Sequence, residues 1–187
     1  ITGTSEGIGK KLVSQFIKNK NNVWGCSRKK NTIKYKNYKH TKLNLKNTLK
    51  IKKWIKNINR ETKGKIDLLI FNAAILNRSL NSNEKIKDIL NKININLSSN
   101  IILATLVSKI MIKNKSGVII FFSSIATELN QEGSSSYSAS KSGLETFSII
   151  LAKELKKFNI KVKTFRIIYL PTRLSSGLHF TSINNIL

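Results

Sequence analysis

Cysteine is nearly absent from this sequence. Cys26 is the single cysteine among 187 residues, so no disulfide can form within the chain. Lone cysteines are usual in proteins of reducing compartments, and most of them are small buried residues. We therefore expect Cys26 to be a buried strand residue and the protein to be cytoplasmic.

Acidic residues are also scarce. The chain has 34 Lys and Arg against 9 Asp and Glu, and residues 10–60 hold 17 basic residues and no acidic one. A region of this kind attracts phosphates, nucleic acid, acidic proteins or anionic membranes. Lys, Asn and Ile are abundant throughout, however, so biased composition explains much of the charge. No aromatic-interleaved basic patch or DNA-binding motif is present, which argues against nucleic acid as a partner.

No apolar run is long enough to predict a membrane span. The longest, near residues 101–112, is broken by Ser108 and Lys109, whereas a span needs about 20 apolar residues. The sequence shows no repeat, no interdomain linker and no signal peptide, but it starts at Ile1 rather than Met, which leaves targeting open. We expect residues 1–187 to form a single domain with a substantial core.

Strand and helix patterns alternate along the chain. Strands are predicted at residues 22–27, 38–45, 66–71, 117–122 and 160–170, and amphipathic helices near Gly9 and at residues 49–59, 84–114 and 137–158. The nearly continuous apolar run at 66–71 is typical of strands buried on both faces, as in parallel sheets. The alternation predicts an α/β fold, a Rossmann-type doubly wound parallel sheet with helices on both faces. Trp54 is expected to belong to the core.

A glycine-rich turn opens the chain. Gly3, Gly7 and Gly9 have the spacing G-x-x-x-G-x-G. Such glycines allow a tight turn, let backbone amides approach a pyrophosphate and let the next helix pack closely. The helix beginning near Gly9 would direct its N-terminus at the phosphates. A plain turn explains the same spacing, so this feature alone does not establish a nucleotide site.

The residues after the strand at 22–27 bear on cofactor choice. An acidic residue at this point in dinucleotide-binding folds binds the ribose 2′-hydroxyl, whereas an arginine accommodates a 2′-phosphate. Here Arg28 is followed by two lysines, and no acid is present. The pattern favours NADP, with NAD as the alternative.

Tyr137 and Lys141 are four residues apart, so a helix places both on one face. Ser124 lies at the carboxyl end of the preceding strand. A hydroxyl, a phenol and an ammonium that converge suit proton transfer to a carbonyl oxygen, provided that nearby positive charge lowers the pKa of the phenol from about 10. An ordinary amphipathic pair, with one residue packed and one solvated, gives the same spacing in so lysine-rich a chain.

Five motifs in the right order resemble those of the short-chain dehydrogenases/reductases, over Ile1 to about Pro171. T-G-x-x-x-G-I-G is Thr2–Gly9, the N-N-A-G motif is residues 71–74, and Y-x-x-x-K is Tyr137 and Lys141. The catalytic serine of the family matches Ser124, and its helical asparagine matches Asn96. Among members, S-E-G-I-G and N-L-S-S are most similar to carrier-protein ketoacyl reductases.

The resemblance implies an NAD(P)(H)-dependent oxidoreductase that reduces a ketone or oxidises a secondary alcohol. Tyr137 would be the general acid or base, Lys141 would lower its pKa and bind the nicotinamide ribose, Ser124 would hold the substrate oxygen, and Asn96 would anchor a water of a proton relay. The implied cofactor-binding residues are Gly3, Thr4, Ser5, Gly7, Ile8, Gly9, Ser27, Arg28, Asn44, Asn72, Ala73, Ala74, Tyr137, Lys141, Pro171 and Thr172. No metal is implied.

The resemblance also implies partners. The substrate would be a small carbonyl or alcohol compound, possibly bound to acyl-carrier protein. Members commonly form homodimers or homotetramers through two long helices, here residues 84–114 and 137–158.

Several departures from the family pattern keep a second function open. Only Ile1 precedes the first turn, so we expect an empty first position in the sheet and a domain truncated at both ends. Thr172 replaces a family glycine near the nicotinamide, and Ala74 replaces another near the ribose. A catalytically inactive nucleotide-binding scaffold or redox-sensing partner is therefore the alternative.

Overall fold

The structure, a computed structural model, describes residues 1–30 and 33–167. This part of the chain contains five strands and six α-helices. In order they are α1 (Gly7–Lys18), β1 (Val23–Ser27), β2 (Tyr38–Lys42), α2 (Thr48–Glu61), β3 (Leu68–Phe71), α3 (Ile86–Ile93), α4 (Ser99–Asn114), β4 (Gly117–Ser124), α5 (Ala126–Leu129), α6 (Ser135–Lys156) and β5 (Ile160–Ile167). A short 3₁₀-helix (Asn81–Asn83) precedes α3, and a π-helical turn (Asn94–Ser98) joins α3 to α4.

All paired strands are parallel. β1 pairs with β2, and β4 lies between β3 and β5. The first residues of the chain join these two groups, because Thr2 N donates to Ile70 O at 3.0 Å on one side and Cys26 N donates to Ile1 O at 3.2 Å on the other. The sequence predicted that the first strand position of the sheet would be empty. Ile1 and Thr2 occupy this position at the carboxyl end of the sheet, so the expectation is corrected there.

Apolar side chains cover the sheet on both faces. One cluster packs α1, through Leu12, Val13 and Phe16, against Ile70 and Ile120. The opposite cluster packs α2, α4 and α6 against the intervening residues of the same strands, with the rings of Phe71 and Phe121 stacked 4.5 Å apart; its members include Trp54, Leu103, Val107, Leu144 and Leu151. Successive strand residues point to opposite faces, so both helical layers need apolar partners. The predicted Rossmann-type architecture and the core position of Trp54 are confirmed.

Residues Ile86–Asn114 form one helical stretch of 29 residues, and its most apolar 18-residue segment has a mean hydropathy of 1.5, so by length and composition alone the stretch could cross a membrane. Half of that apolar stretch is buried within the protein, however. Buried polar side chains at Lys92, Asn96 and Asn100 follow one side of it at four-residue spacing. A core helix satisfies the same two measures, so the finding is weak support for a span.

Candidate active site

The glycine-rich turn lies between β1 and β3 and leads directly into α1. Gly3 and Gly7 have φ of 73° and 57°, in the left-handed region that favours glycine. A Cβ on Gly9 would lie 2.2 Å from Gly3 O, whereas one on Gly7 would meet nothing within 4 Å. Gly9 therefore permits close packing of the turn, and Gly7 faces open space at the N-terminus of α1.

Asn72 fixes this turn to the end of β3. Its Nδ2 donates to the carbonyl oxygens of Thr2 and Gly3, at 3.0 Å each. In return, Thr2 Oγ1 accepts hydrogen bonds from the backbone N–H groups of Asn72 and Ala73, also at 3.0 Å. The side chain of Asn72 therefore holds the turn in shape, and Thr2, which begins the glycine motif but had no predicted role, is its reciprocal partner.

A pocket of about 210 Å³ opens beside the turn. The residues predicted from the sequence that line it are Gly3, Ser5, Ser27, Arg28, Asn72, Ala73 and Ala74. Glu6 and Lys29 also line it and form an ion pair of 2.8 Å. Ser27 Oγ donates to Lys29 O at 2.9 Å and lies 2.8 Å from His40 Nε2. Burial lowers the pKa of His40, which favours its neutral form.

Two residues that the sequence predicted to bind the cofactor, Thr4 and Asn44, are not among those that line this pocket. Thr4 is fully buried, and its Oγ1 accepts a hydrogen bond from the Tyr38 hydroxyl at 2.9 Å, so its side chain faces the interior. Asn44 is exposed and accepts a hydrogen bond from Lys46 N at 3.1 Å, while its neighbours Leu43 and Leu45 line the pocket. The Thr4 side chain is therefore occupied by Tyr38, and cofactor binding by Thr4 stays a prediction.

A second pocket, of about 230 Å³, contains the proposed catalytic trio. Ser124, Tyr137 and Lys141 all line it, together with Ile8. Asn72 and Ala74 line both pockets, so the two adjoin. The alternative of an ordinary amphipathic pair fails for this helix face, because Lys141 is only 4% exposed and Tyr137 only 9%.

The electrostatics of the trio differ from the expectation. Burial raises the pKa of Tyr137 above 10, and the hydrogen bond with Ser124 acts in the opposite direction. Burial also lowers the pKa of Lys141 to about 8, which nearby Glu145 partly opposes. Lys141 Nζ lies 6.0 Å from the centre of the phenol ring and donates to Phe122 O at 2.7 Å. Burial therefore outweighs the lowering of the Tyr137 pKa that the sequence predicted, and stabilisation of the phenolate by Lys141 stays a prediction.

Asn96 lies in the π-helical turn and is fully buried. Its side chain makes two hydrogen bonds to the backbone of Ile75, in the segment that follows β3. Oδ1 accepts from Ile75 N at 2.9 Å, and Nδ2 donates to Ile75 O at 3.0 Å. Nδ2 also donates to Ser140 Oγ at 3.2 Å, and Asn96 O accepts from Asn100 Nδ2 at 2.8 Å. Single π-helical turns are frequent at functional sites. Anchoring of a water by Asn96 stays a prediction.

Residues 1–179 match the family model described as short chain dehydrogenase. The chain belongs to the short-chain dehydrogenase family. It is 34% identical over 189 residues to a 3-oxoacyl-[acyl-carrier-protein] reductase of Buchnera aphidicola subsp. Baizongia pistaciae, covering 95% of this chain and 75% of that protein. The resemblance seen in the sequence is therefore confirmed.

Solved structures agree on the fold. A 4-hydroxyisoleucine dehydrogenase complexed with NADH superposes with a TM-score of 0.83 at 24% identity, over 89% of this chain and 72% of that one. ElxO with NADP bound gives a TM-score of 0.81 at 24% identity, over 89% and 71%. The chain spans between 63% and 78% of the length of such structures.

Two predicted residues, Pro171 and Thr172, lie outside the described residues, as does the end of the strand predicted at 160–170. Two residues of the first pocket and its surroundings, Glu6 and His40, were not found from the sequence. The sequence also gave no role to Lys92, although a lysine within an apolar helix four residues before Asn96 was a usable signal. The others depend on contacts between distant segments.

Proposed function

We propose that this short-chain dehydrogenase is an NADPH-dependent carbonyl reductase, in which Tyr137 transfers the proton. One observation carries the proposal: Ser124, Tyr137 and Lys141 line a single pocket that shares Asn72 and Ala74 with the glycine-lined pocket. A reductase needs its proton donor beside the end of a nucleotide site. The pair of pockets provides that arrangement.

The first pocket and the adjoining N-terminus of α1 support the proposal of a dinucleotide site. Gly7 leaves open space at the N-terminus of α1, where the free backbone N–H groups and the helix dipole favour a pyrophosphate. Leu43, Leu45 and Ile95 give apolar walls for an adenine, and Ser27 and Arg28 lie where a 2′-phosphate would be recognised. The nicotinamide, once bound, would supply or accept the hydride.

The residues of this chain then handle the proton and the substrate oxygen. Ser124 Oγ accepts from Ala126 N at 3.2 Å and is hydrogen-bonded to Tyr137, and its hydroxyl proton would turn to a substrate carbonyl oxygen when substrate binds. Tyr137 would donate its phenolic proton to that same oxygen as negative charge develops there. Lys141 would supply positive charge next to the resulting phenolate. Asn96 would keep the segment after β3 and helix α6 in register around the pocket.

NADP is proposed over NAD because Arg28 and Lys29 flank the pocket, and no acidic residue follows β1 directly. Glu6 opposes this preference, since its carboxylate lies at the same rim and pairs with Lys29. The balance still favours NADP, because two cations meet one anion there. NAD is the alternative that a direct comparison decides.

For the substrate we propose a 3-oxoacyl group carried by acyl-carrier protein, on the strength of the similarity to 3-oxoacyl-[acyl-carrier-protein] reductases. The walls of the second pocket suit an acyl chain, being largely apolar: Ile8, Leu76, Phe122, Ile125 and Leu129. An acidic carrier would also be attracted by the net charge of +25. We further propose a cytoplasmic homodimer or homotetramer.

Binding and turnover measured side by side test this proposal. Calorimetry with NADPH and NADH should show tighter binding of NADPH, and a panel of 3-oxoacyl thioesters and simple ketones should include at least one that is reduced. Binding without turnover across the panel would overturn the reductase and favour the nucleotide-binding scaffold. Tighter binding of NADH would overturn the cofactor preference alone.

A further inference from the structure

Two polar links join the helical stretch that contains Asn96 to helix α6. In the first, Lys92 Nζ donates to Ser136 Oγ at 3.0 Å. In the second, Asn96 Nδ2 donates to Ser140 Oγ at 3.2 Å. Lys92 and Asn96 are four residues apart, and so are Ser136 and Ser140. The links are therefore stacked about one helical turn apart along the two helices.

Each link ends one residue before a member of the proposed catalytic trio. Ser136 precedes Tyr137, and Ser140 precedes Lys141. Ser140 Oγ also donates to Tyr137 O at 2.6 Å, so the second link contacts the backbone of the tyrosine itself. A sliding or rotation of α6 would break both links and move both catalytic side chains together.

The first link is part of a buried ionic cluster. The side chains of Glu84 and Lys92 are each 1% exposed and form an ion pair. Ser136 Oγ donates to the same carboxylate oxygen of Glu84 at 2.8 Å. The segment before α3, helix α3 and the first turn of α6 therefore meet at one cluster.

A gain in folding stability does not explain why this ionic cluster is buried. A buried ion pair often contributes no more to stability than apolar residues of similar volume, because both charges lose their hydration. The other oxygen of Glu84 is buried and has no hydrogen-bond partner among the described residues, which adds to the cost. Directional contacts do specify one relative placement of the three segments, whereas apolar packing tolerates several.

We propose that Glu84, Lys92 and Ser136 are positioning residues, which fix the register of α6 so that Tyr137 and Lys141 face Ser124. The inference rests on the proposed function, because it concerns the same proton transfer. A displacement of about 1 Å at a reacting group can cost about a hundredfold in rate. Loss of the cluster should therefore lower kcat more than it changes KM.

Ser136→Ala tests the link while leaving the ion pair in place. We expect kcat to fall about tenfold with KM within about twofold of wild type. Ser136→Thr retains the hydroxyl and should recover most of the rate, whereas Ser135→Ala, at the exposed neighbouring serine, should match wild type. The double variant Glu84→Gln/Lys92→Met removes both charges without leaving one buried, and it should lower kcat while NADPH binding persists.

The proposal is overturned if Ser136→Ala and the double variant both keep kcat within about twofold of wild type. If wild type itself has no turnover, the proposed function has failed, and the positioning role is then decided by NMR. The Cζ signal of Tyr137 in ¹³C-tyrosine-labelled protein, assigned with Tyr137→Phe, should shift in Ser136→Ala and stay in place in Ser135→Ala. An unshifted signal in Ser136→Ala would overturn the proposal independently of any activity.

Discussion

Glu6 Oε2 accepts a hydrogen bond from Lys29 Nζ at 2.8 Å, at the rim of the pocket proposed for the nucleotide. The carboxylate of Glu6 therefore lies beside the proposed 2′-phosphate site. It pairs with Lys29, one of the two basic residues proposed to bind that phosphate. The side chains are 71% and 69% exposed, so water and salt weaken their mutual attraction. The pair itself therefore adds little to folding, and we expect the main effect of Glu6 to be on a phosphate bound at the proposed site.

Glu6→Gln should strengthen NADPH binding by about two- to fivefold, because it removes one negative charge and releases Lys29 for the phosphate. NADH lacks the phosphate and should bind nearly as before. Calorimetry at low and at moderate salt measures both affinities, and the gain should shrink as salt rises. Glu61→Gln is the matched control, since Glu61 pairs with Lys39 in an exposed ion pair and does not line the pocket. Unchanged or weaker NADPH binding in Glu6→Gln would remove Glu6 from the phosphate site.

Gly9→Ala should weaken the affinity for NADPH by about tenfold or more, equivalent to at least about 1.4 kcal/mol. The added Cβ would lie 2.2 Å from Gly3 O and 2.4 Å from Asn72 Nδ2, so the turn and the end of β3 must separate. Gly143→Ala serves as the control, because its Cβ would meet only the flexible Leu97 side chain at 3.2 Å. Equal affinities in the two variants would mean that the turn does not shape the nucleotide site.

Lys141→Met should raise stability at pH 7 while abolishing activity. Burial lowers the pKa of Lys141 from 10.5 to about 8, so the charged form costs the folded state up to about 3 kcal/mol below pH 8. The loss of the hydrogen bond to Phe122 O returns about 1 kcal/mol of that gain.

Proton binding sets the direction in which this stability difference changes with pH. Between about pH 8 and 10.5 the unfolded chain holds a proton on Lys141 that the folded chain has released, so wild-type stability rises relative to the variant as pH rises. Urea unfolding of both proteins at pH 7 and pH 9.5 measures the difference, which should favour the variant at pH 7 and shrink at pH 9.5. A pH-independent difference would show that Lys141 is not buried as a charge.

The pH profile of turnover should reflect the raised pKa of Tyr137. The phenol remains protonated through the neutral range, because burial disfavours the phenolate. Carbonyl reduction, which consumes the phenolic proton, should be flat across neutral pH and fall only in alkaline buffer. Alcohol oxidation, which needs the phenolate, should be slow at neutral pH and rise with pH. The opposite pair of slopes, measured at saturating substrate, would show that another group transfers the proton.

Local patterns in the sequence predicted the fold and the proposed catalytic residues that line the second pocket. Nearly continuous apolar runs define β3 and β4, and the spacing of Tyr137 and Lys141 requires only a helix to bring them together. Motif spacing likewise located Gly3, Ser124 and Asn96. These features depend on residues close in the chain or on the order of strands, which a pattern reports directly.

The remaining features depend on contacts between distant segments and on burial. Glu6 meets Lys29, Ser27 meets His40, and Glu84 meets Ser136 across 52 residues. The direction of the Tyr137 pKa also escaped prediction, because it reflects how much of the pocket wall excludes water rather than which charges lie nearby in sequence. The inward orientation of Thr4 likewise requires knowledge of Tyr38, its partner on β2.

Turnover by wild type and Tyr137→Phe tests the central claim most directly. NADPH oxidation should be followed with a 3-oxoacyl thioester that wild type reduces, alongside calorimetry of NADPH binding to both proteins. We expect the phenylalanine variant to bind NADPH within about threefold of wild type and to lose about a hundredfold or more in kcat, because general acid catalysis of this kind contributes 10²–10⁴-fold. Retention of full turnover by Tyr137→Phe would contradict the assignment of Tyr137 as the proton donor.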